Sequence, residues 1–401
     1  MNENLKIVHR EKKPQGERCS VRRFGLESAE KALAFHLSFP EYSVTPLANL
    51  SCLSEELGLG AIFVKDESYR FGLNAFKVLG GSYAIGNILA SRLGEDMSSM
   101  SFERLSGNDV RAVLGDITFV TATDGNHGRG VAWTASRLCQ KSVVYMPKGT
   151  SPERLLNIRK LGSDASITEL NYDGAVGLAS ENAKKYGWIV VQDTAWNGYE
   201  DVPIWIMEGY TTMALEAVRQ LNGVRPTHVF LQAGVGSMAA AVCGFLAEYY
   251  RDDCPVITVV EPNQADCFYQ SALANDGKRR FVTGEMHTIM AGLACGEPST
   301  IAWEILNDYA DNFVTMPDWV AAKGMRVLAN PVGNDTKVVS GESGASTLGL
   351  LATVMQNDRF AFLRKTLSLD RSSRVLLFST EGATDREHYR RVVWDGLHPS
   401  E

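Results

Sequence analysis

The sequence predicts an α/β protein built on parallel sheet, and three observations carry that prediction. Short apolar, β-branched runs recur along the chain; each ends in a polar or glycine-bearing turn; helical patterns fill the intervals. Continuous apolar runs are what strands buried on both faces look like, and alternation of strand with helix favours right-handed crossovers. Ala61-Ile62-Phe63-Val64 opens the series and leads to a helical stretch, Val78 to Leu89. Ile117 to Val120, Ser142 to Tyr145 and Trp188 to Val191 follow. Pro203 to Leu221 reads as a helix with proline near its first turn. His228 to Leu231 then runs into a glycine loop and the Ala-rich helical stretch Ser237 to Tyr250. Val256 to Val260 and Val375 to Phe378 complete the strands.

Within this pattern the polar stretch Gly94 to Asp109 reads as a surface insertion. The expected division is a smaller α/β domain, residues 95–198, inserted into a larger domain made of 1–94 together with 199–401. Gly94 and Gly198 would be its hinges, and active sites commonly lie between such domains. A chain of 401 residues is long enough for roughly two domains and a large core. Apolar residues at 45% and charged residues at 22% are ordinary for a soluble globular protein. A formal charge of -7 without a Lys/Arg cluster argues against nucleic acid as a partner. No apolar run approaches the roughly 20 residues of a membrane helix, and the polar first 16 residues do not read as a secretory signal, so the cytosol is the expected compartment. The seven cysteines are scattered with no C-x-x-C pair, which points to neither a zinc site nor a disulfide framework. Cys267 and Cys295, in glycine- and polar-rich segments, are the candidates for a redox pair.

The chemistry-bearing residues sit where these strands end. Lys77 closes Asn74-Ala75-Phe76-Lys77 and opens a helix, whose positive dipole end disfavours a charged amine. Partial burial would act the same way and favour a neutral nucleophile. Thr123-Asp124-Gly125-Asn126-His127-Gly128 follows a strand, at the edge where open α/β sheets bind ligands. There Asp124 could accept a proton, Asn126 could bond a phenolic oxygen, and His127 reads as a structural hydrogen bonder; the turn would serve equally as an Asx cap. Gly234, Val235, Gly236, Ser237 and Met238 form a strand-to-helix glycine loop suited to a phosphate. It lacks the full G-x-G-x-x-G spacing and a Walker lysine, which disfavours NAD and ATP. Asp193, in Gln192 to Trp196, adds a carboxylate at the same sheet edge, and Ser379-Thr380-Glu381-Gly382 ends the last strand with hydroxyls.

In this order the motifs resemble those of the fold-type-II pyridoxal-phosphate enzymes, the group of threonine deaminase, serine racemase and the tryptophan synthase β-chain. Asn74 to Lys77 is similar to their Schiff-base lysine motif, Thr123 to Gly128 to their S-x-G-N-H-G loop, and Gly234 to Met238 to their phosphate loop. Asp124 within its loop, Asp193 to Trp196 and Ser379 to Gly382 resemble the diaminopropionate ammonia-lyase branch. The resemblance implies two open twisted, mainly parallel sheets flanked by helices, with the active site between a large and a small domain. It implies pyridoxal 5'-phosphate as cofactor, a homodimer, and α,β-elimination of D- and L-2,3-diaminopropionate to pyruvate and two ammonia. Thr123, Asp124, Gly125 and His127 would then bind the substrate.

Asp124 stands where the broader group has serine, which supplies a carboxylate base. On this reading Lys77 and Asp124 take the α-proton of opposite enantiomers from opposite faces. Asp193 binds the distal ammonium. Thr380, or else Ser379, meets the pyridine nitrogen. Two rivals stand beside it. One is serine or threonine dehydration on the same fold, against which Asp193 discriminates; the other is a silent amino-acid-binding protein, against which the retained lysine, loop and proton acceptor count.

Overall fold

The computed structural model describes residues 5–123 and 125–400. In chain order the strands are β1 (Lys6–His9), β2 (Leu47–Asn49), β3 (Ala61–Asp66), β4 (Thr118–Ala122), β5 (Lys141–Met146) and β6 (Asp164–Ile167). They continue with β7 (Ile189–Val190), β8 (His228–Gln232), β9 (Val256–Pro262), β10 (Asn312–Met316) and β11 (Arg374–Ser379). The chain divides into two compact units, each with its own sheet.

The first unit comprises the chain up to Gly25, Thr45–Tyr69 and the chain from Met213 on. Its seven-stranded sheet has the order β1-β10-β9-β8-β11-β3-β2. The five inner strands run parallel, and only the edge strands β1 and β2 pair antiparallel. Every residue of β8 and β10 is buried, which is why those segments read as unbroken apolar runs. Ile62, Val64, Phe230, Val260 and Val314 of the sheet share a core with Leu348 and Leu351 of the helix Glu342–Gln356. Full burial of each such side chain contributes about 1.5–3 kcal/mol.

The second unit comprises Leu26–Val44 and Arg70–Thr212. Its four strands are all parallel, in the order β6-β5-β4-β7. Alternation along the strands feeds two faces. Val120, Ala122 and Val143 pack on Ala175, Ala179 and Ala183 of the helix Tyr172–Tyr186. Val144 and Met146 join Ala132, Ile158 and Ala165 on the other face.

This unit is wider than the 95–198 expected of an inserted domain, and the reason lies in helix packing. His36, on the helix Leu26–Leu37, is buried and bonds Thr212 Oγ1 (2.8 Å), Leu79 O (3.0 Å) and Ser82 Oγ (3.1 Å), tying segments 26–44, 70–94 and 199–212 together. Gly94, expected as a hinge, is the left-handed C-cap of the helix Val78–Leu93 (φ 71°). The stretch read as a surface insertion folds into short helices that bury Leu105 and Val110. Among the described residues no helix is long and apolar enough to cross a membrane.

Strand order reverses between β4 and β7 in the second unit and between β8 and β11 in the first. Ligands of open α/β sheets bind beyond the strand C-termini at such points.

Candidate active site

At the β4/β7 reversal of the second unit, Lys77 is the N-cap of the helix Val78–Leu93. Its backbone is fixed from behind by the helix Asn126–Arg137. A Cβ on Gly130 of that helix would lie 2.8 Å from Val78 Cα and 3.2 Å from the Lys77 carbonyl carbon. Only glycine permits that approach. The Lys77 ammonium donates a short hydrogen bond to Asp193 Oδ2, with the carboxylate buried and the lysine side chain 18% exposed. Burial by itself would push the Asp193 carboxyl up, but the Lys77 charge, His127 and the Lys77 hydrogen bond outweigh it and hold the group at about 2. The Asp193 carboxylate favours a charged amine and so opposes the helix dipole at Lys77.

His127 is buried, and its Nε2 donates to Val191 O at 2.8 Å while Nδ1 lies 3.9 Å from Asp193 Oδ2. It thus ties the loop after β4 to the end of β7, the structural role expected of it. Thr123, also buried, donates its backbone N–H to Tyr145 O and accepts from Gly125 N, both at 3.0 Å. Gly125 caps the helix that Asn126 begins. Asp124, the expected second base and Asx cap, lies outside the described residues. Lys77, Asp193 and His127 are brought together here, with Thr123, Gly125 and Asn126 in the adjoining loop.

Two residues of this cluster escaped the sequence. Gln192 accepts from Thr121 Oγ1 (2.8 Å) and Ala122 N (3.0 Å) and donates to Ala122 O (3.0 Å) and Tyr172 OH (2.8 Å). Its side chain continues the β4–β7 ladder past the two-residue strand and so sets the position of Asp193. The signal was its place between an apolar run and an aspartate. Tyr210, on the helix Asp201–Gln220, packs against Phe76 with ring centroids 4.8 Å apart and ring planes tilted by 52°. Its hydroxyl is buried with no hydrogen-bond partner among the described residues. Burial pushes the phenol up; nearby Lys77 opposes this and Asp193 adds to it. Nothing in the sequence marks this tyrosine.

The β8/β11 reversal of the first unit is built differently. Gln232 Nε2 donates to Phe378 O and to Thr380 Oγ1, both at 2.9 Å. Ser379 instead donates to Ser340 Oγ at 2.8 Å. Beyond Gln232 the chain passes Gly234 and Val235 and reaches Gly236, the left-handed N-cap (φ 90°) of the helix Ser237–Tyr250. Among the described residues no side chain caps this helix at Gly236, and its first N–H groups lack acceptors within it. A Cβ on Gly236 would fall 2.2 Å from Phe268 Cζ, and one on Gly234 would fall 2.7 Å from Gly292 O. Val235 O accepts from Ser299 N at 3.0 Å, and Ser237 and Met238 are buried. The result is a rigid backbone cradle with the positive end of a 14-residue helix at its mouth.

Cys267 and Cys295 are free thiols, not a disulfide. Cys267 Sγ lies 3.6 Å from both Glu261 Oε1 and Cys295 O, and burial pushes its thiol up, with Glu261 adding to the effect. Such a thiol is inert. The second unit thus offers an amine beside an ionised carboxylate, and the first offers an anion-binding helix start and a neutral hydroxyl.

A family model described as "Pyridoxal-phosphate dependent enzyme" matches residues 39–361. The diaminopropionate ammonia-lyase of Salmonella typhimurium is 54% identical over 370 residues, covering 91% of this chain and 92% of its own. Two crystal structures of Escherichia coli diaminopropionate ammonia lyase match with TM-scores of 0.91 and 0.89, each at 46% identity over 99% of this chain and 98% of theirs. The first holds D-serine and the second an aminoacrylate-PLP azomethine reaction intermediate.

Proposed function

The chain belongs to the family of pyridoxal-phosphate dependent enzymes, and on that premise we propose that it catalyses α,β-elimination of D- and L-2,3-diaminopropionate to pyruvate and two ammonia. The observation that carries the proposal is the buried, ionised Asp193 paired with Lys77 at a strand-order reversal.

The residues suit the cofactor. Lys77 would carry its aldehyde carbon, and the glycine cradle of 234–238 would take its phosphate, since a side chain at Gly234 or Gly236 would collide with the packing beneath. Asn126 would bond its phenolic oxygen and Thr380 its ring nitrogen; Ser379 is already committed to Ser340. Bound there, pyridoxal 5'-phosphate supplies a carbonyl that condenses with amines and a ring that accepts electrons when the α-proton leaves.

The protein's own work is to place and move protons. The loop of Thr123, Asp124, Gly125 and His127 would receive the substrate carboxylate, and His127 pins that loop to Val191. The Lys77 amine would take the α-proton of one enantiomer and the Asp124 carboxylate that of the other. Asp193, a buried carboxylate that is ionised beside a cation, would receive the distal ammonium, so that the β-nitrogen leaves as ammonia. This charge preference separates diaminopropionate from serine or threonine, whose hydroxyl gains little from a facing carboxylate. The D-serine and aminoacrylate found in the Escherichia coli structures support elimination with loose stereochemistry. The reading includes a homodimer, as the resemblance implies, and the cytosol as its compartment, as expected from the polar first 16 residues.

Ammonia and pyruvate release from both enantiomers, serine and threonine, measured side by side, tests the proposal. Two ammonia per pyruvate from either enantiomer is expected; faster turnover of serine or threonine would reassign the enzyme to dehydration.

A further inference from the structure

Gln232 Nε2 stands 2.9 Å from Phe378 O and 2.9 Å from Thr380 Oγ1. A carbonyl oxygen only accepts, so the amide must turn its nitrogen toward Phe378. The reverse orientation would set two oxygens against each other in a buried site. With its nitrogen so fixed, the second N–H enters a lone pair of Thr380. A hydroxyl carries one proton, and the Thr380 proton must then point away from Gln232 as a donor. Both residues are buried, so bulk water does not compete for these bonds. The neighbouring hydroxyl, Ser379, is taken by Ser340 and cannot substitute.

We propose that Gln232 is a positioning residue that locks the Thr380 hydroxyl as a hydrogen-bond donor, so that the ring nitrogen of bound pyridoxal phosphate meets a donor and stays unprotonated. This rests on the functional reading above and deepens it. An unprotonated ring withdraws electrons less strongly, which favours loss of the β-amine over return of a proton elsewhere on the cofactor. The glutamine thereby sets the course of the reaction without touching the substrate.

The test is nitrogen NMR of the holoenzyme, without substrate, reconstituted with ring-¹⁵N pyridoxal phosphate. The wild-type signal is expected at the unprotonated pyridine position and flat with pH across the folded range. In Gln232→Glu the new carboxyl accepts from Thr380, turns the hydroxyl's lone pairs outward, and moves the ring signal upfield to the protonated position. In Gln232→Met the hydroxyl is free to rotate, and the signal titrates between the two limits. If the glutamate variant does not fold, the methionine variant decides. A protonated wild-type signal, or variants that bind cofactor with the flat wild-type signal, would overturn the proposal. A wild-type protein that binds no labelled cofactor would instead sink the functional reading, an outcome distinct from both.

Discussion

At the end of β7 the second unit gathers Lys77, Asp193 and His127, all titratable, whereas at the end of β8 the first unit presents Gln232, Gly234, Gly236, Ser237 and Thr380, none of which titrates near neutrality. Both clusters stand at a reversal of strand order, and in both a glutamine reaches across to the neighbouring strand, Gln192 to Ala122 and Gln232 to Phe378. The scaffold problem is the same and the chemistry is not. Proton transfer needs groups whose charge can change, and these are held by one another. Anion binding needs dipoles whose strength does not depend on pH, and the backbone supplies them.

The comparison is tested first at its most sensitive point. Lys77→Ala should lower turnover by at least about 10⁴-fold, the upper end of what a single proton-transfer group supplies, because on the proposed reading the same amine would also bond the cofactor. Borohydride reduction and peptide mapping should label Lys77 in the wild type and no residue in the variant. Label elsewhere would mean that the second unit does not carry the covalent chemistry. Asp124→Asn should cost about 10²- to 10⁴-fold for one enantiomer of diaminopropionate and much less for the other. Equal losses in steady-state assays would reject the two-base division.

In the first unit the expected damage is to binding. Gly236→Ala forces a side chain into a left-handed position against Phe268, and overpacking of about 1–3 kcal/mol, if felt in cofactor binding, corresponds to a roughly 5- to 150-fold larger cofactor dissociation constant. Turnover at saturating cofactor should be nearly unchanged. A loss in kcat with unaltered affinity would blur the contrast between the units.

Acid and base should also act on the two units with opposite sign. Asp193 has its folded pKa depressed to about 2, so its stabilisation is complete above its ordinary value near 3.8 and is lost as pH falls through about 2. Asp193→Asn should destabilise by about 1.5–3 kcal/mol in urea at neutral pH, and it should remove this acid dependence. In the first unit His388 Nδ1 bonds Glu342 Oε1 at 2.5 Å and fastens the helix Arg386–Val393; that hydrogen bond, against the cost of burial and helped by the Glu342 charge, raises the imidazole above 6.5. Its contribution is complete below pH 6.5 and fades as pH rises through the folded value. His388→Gln should therefore cost less than about 1 kcal/mol, and only on the acidic side. A stability loss that grows with pH would contradict the assignment.

Legibility followed the same division. The glycine loop at 234–238 was readable because a strand, a glycine pair and an Ala-rich helix leave their mark locally, and the helix ends match the expected Ser237 and Tyr250. Lys77 was readable as a helix start, but its charge state was not, since Asp193 lies 116 residues away. The run Trp188 to Val191 shrank to a two-residue strand because the Gln192 side chain takes over the pairing. Tyr210 gave no signal because an apolar helix face hides a tyrosine as easily as it hides a phenylalanine.

The sequence by itself determined the alternation of strand and helix, the family, and which loops bear Lys77 and the glycine turn before Ser237, because each depends on residues close together in the chain. Only the tertiary structure decided the extent of the units, the Lys77–Asp193 pairing, and the choice of Thr380 over Ser379 as the open hydroxyl. Those depend on which strand lies beside which and on where buried donors find acceptors, and sequence neighbours do not specify either.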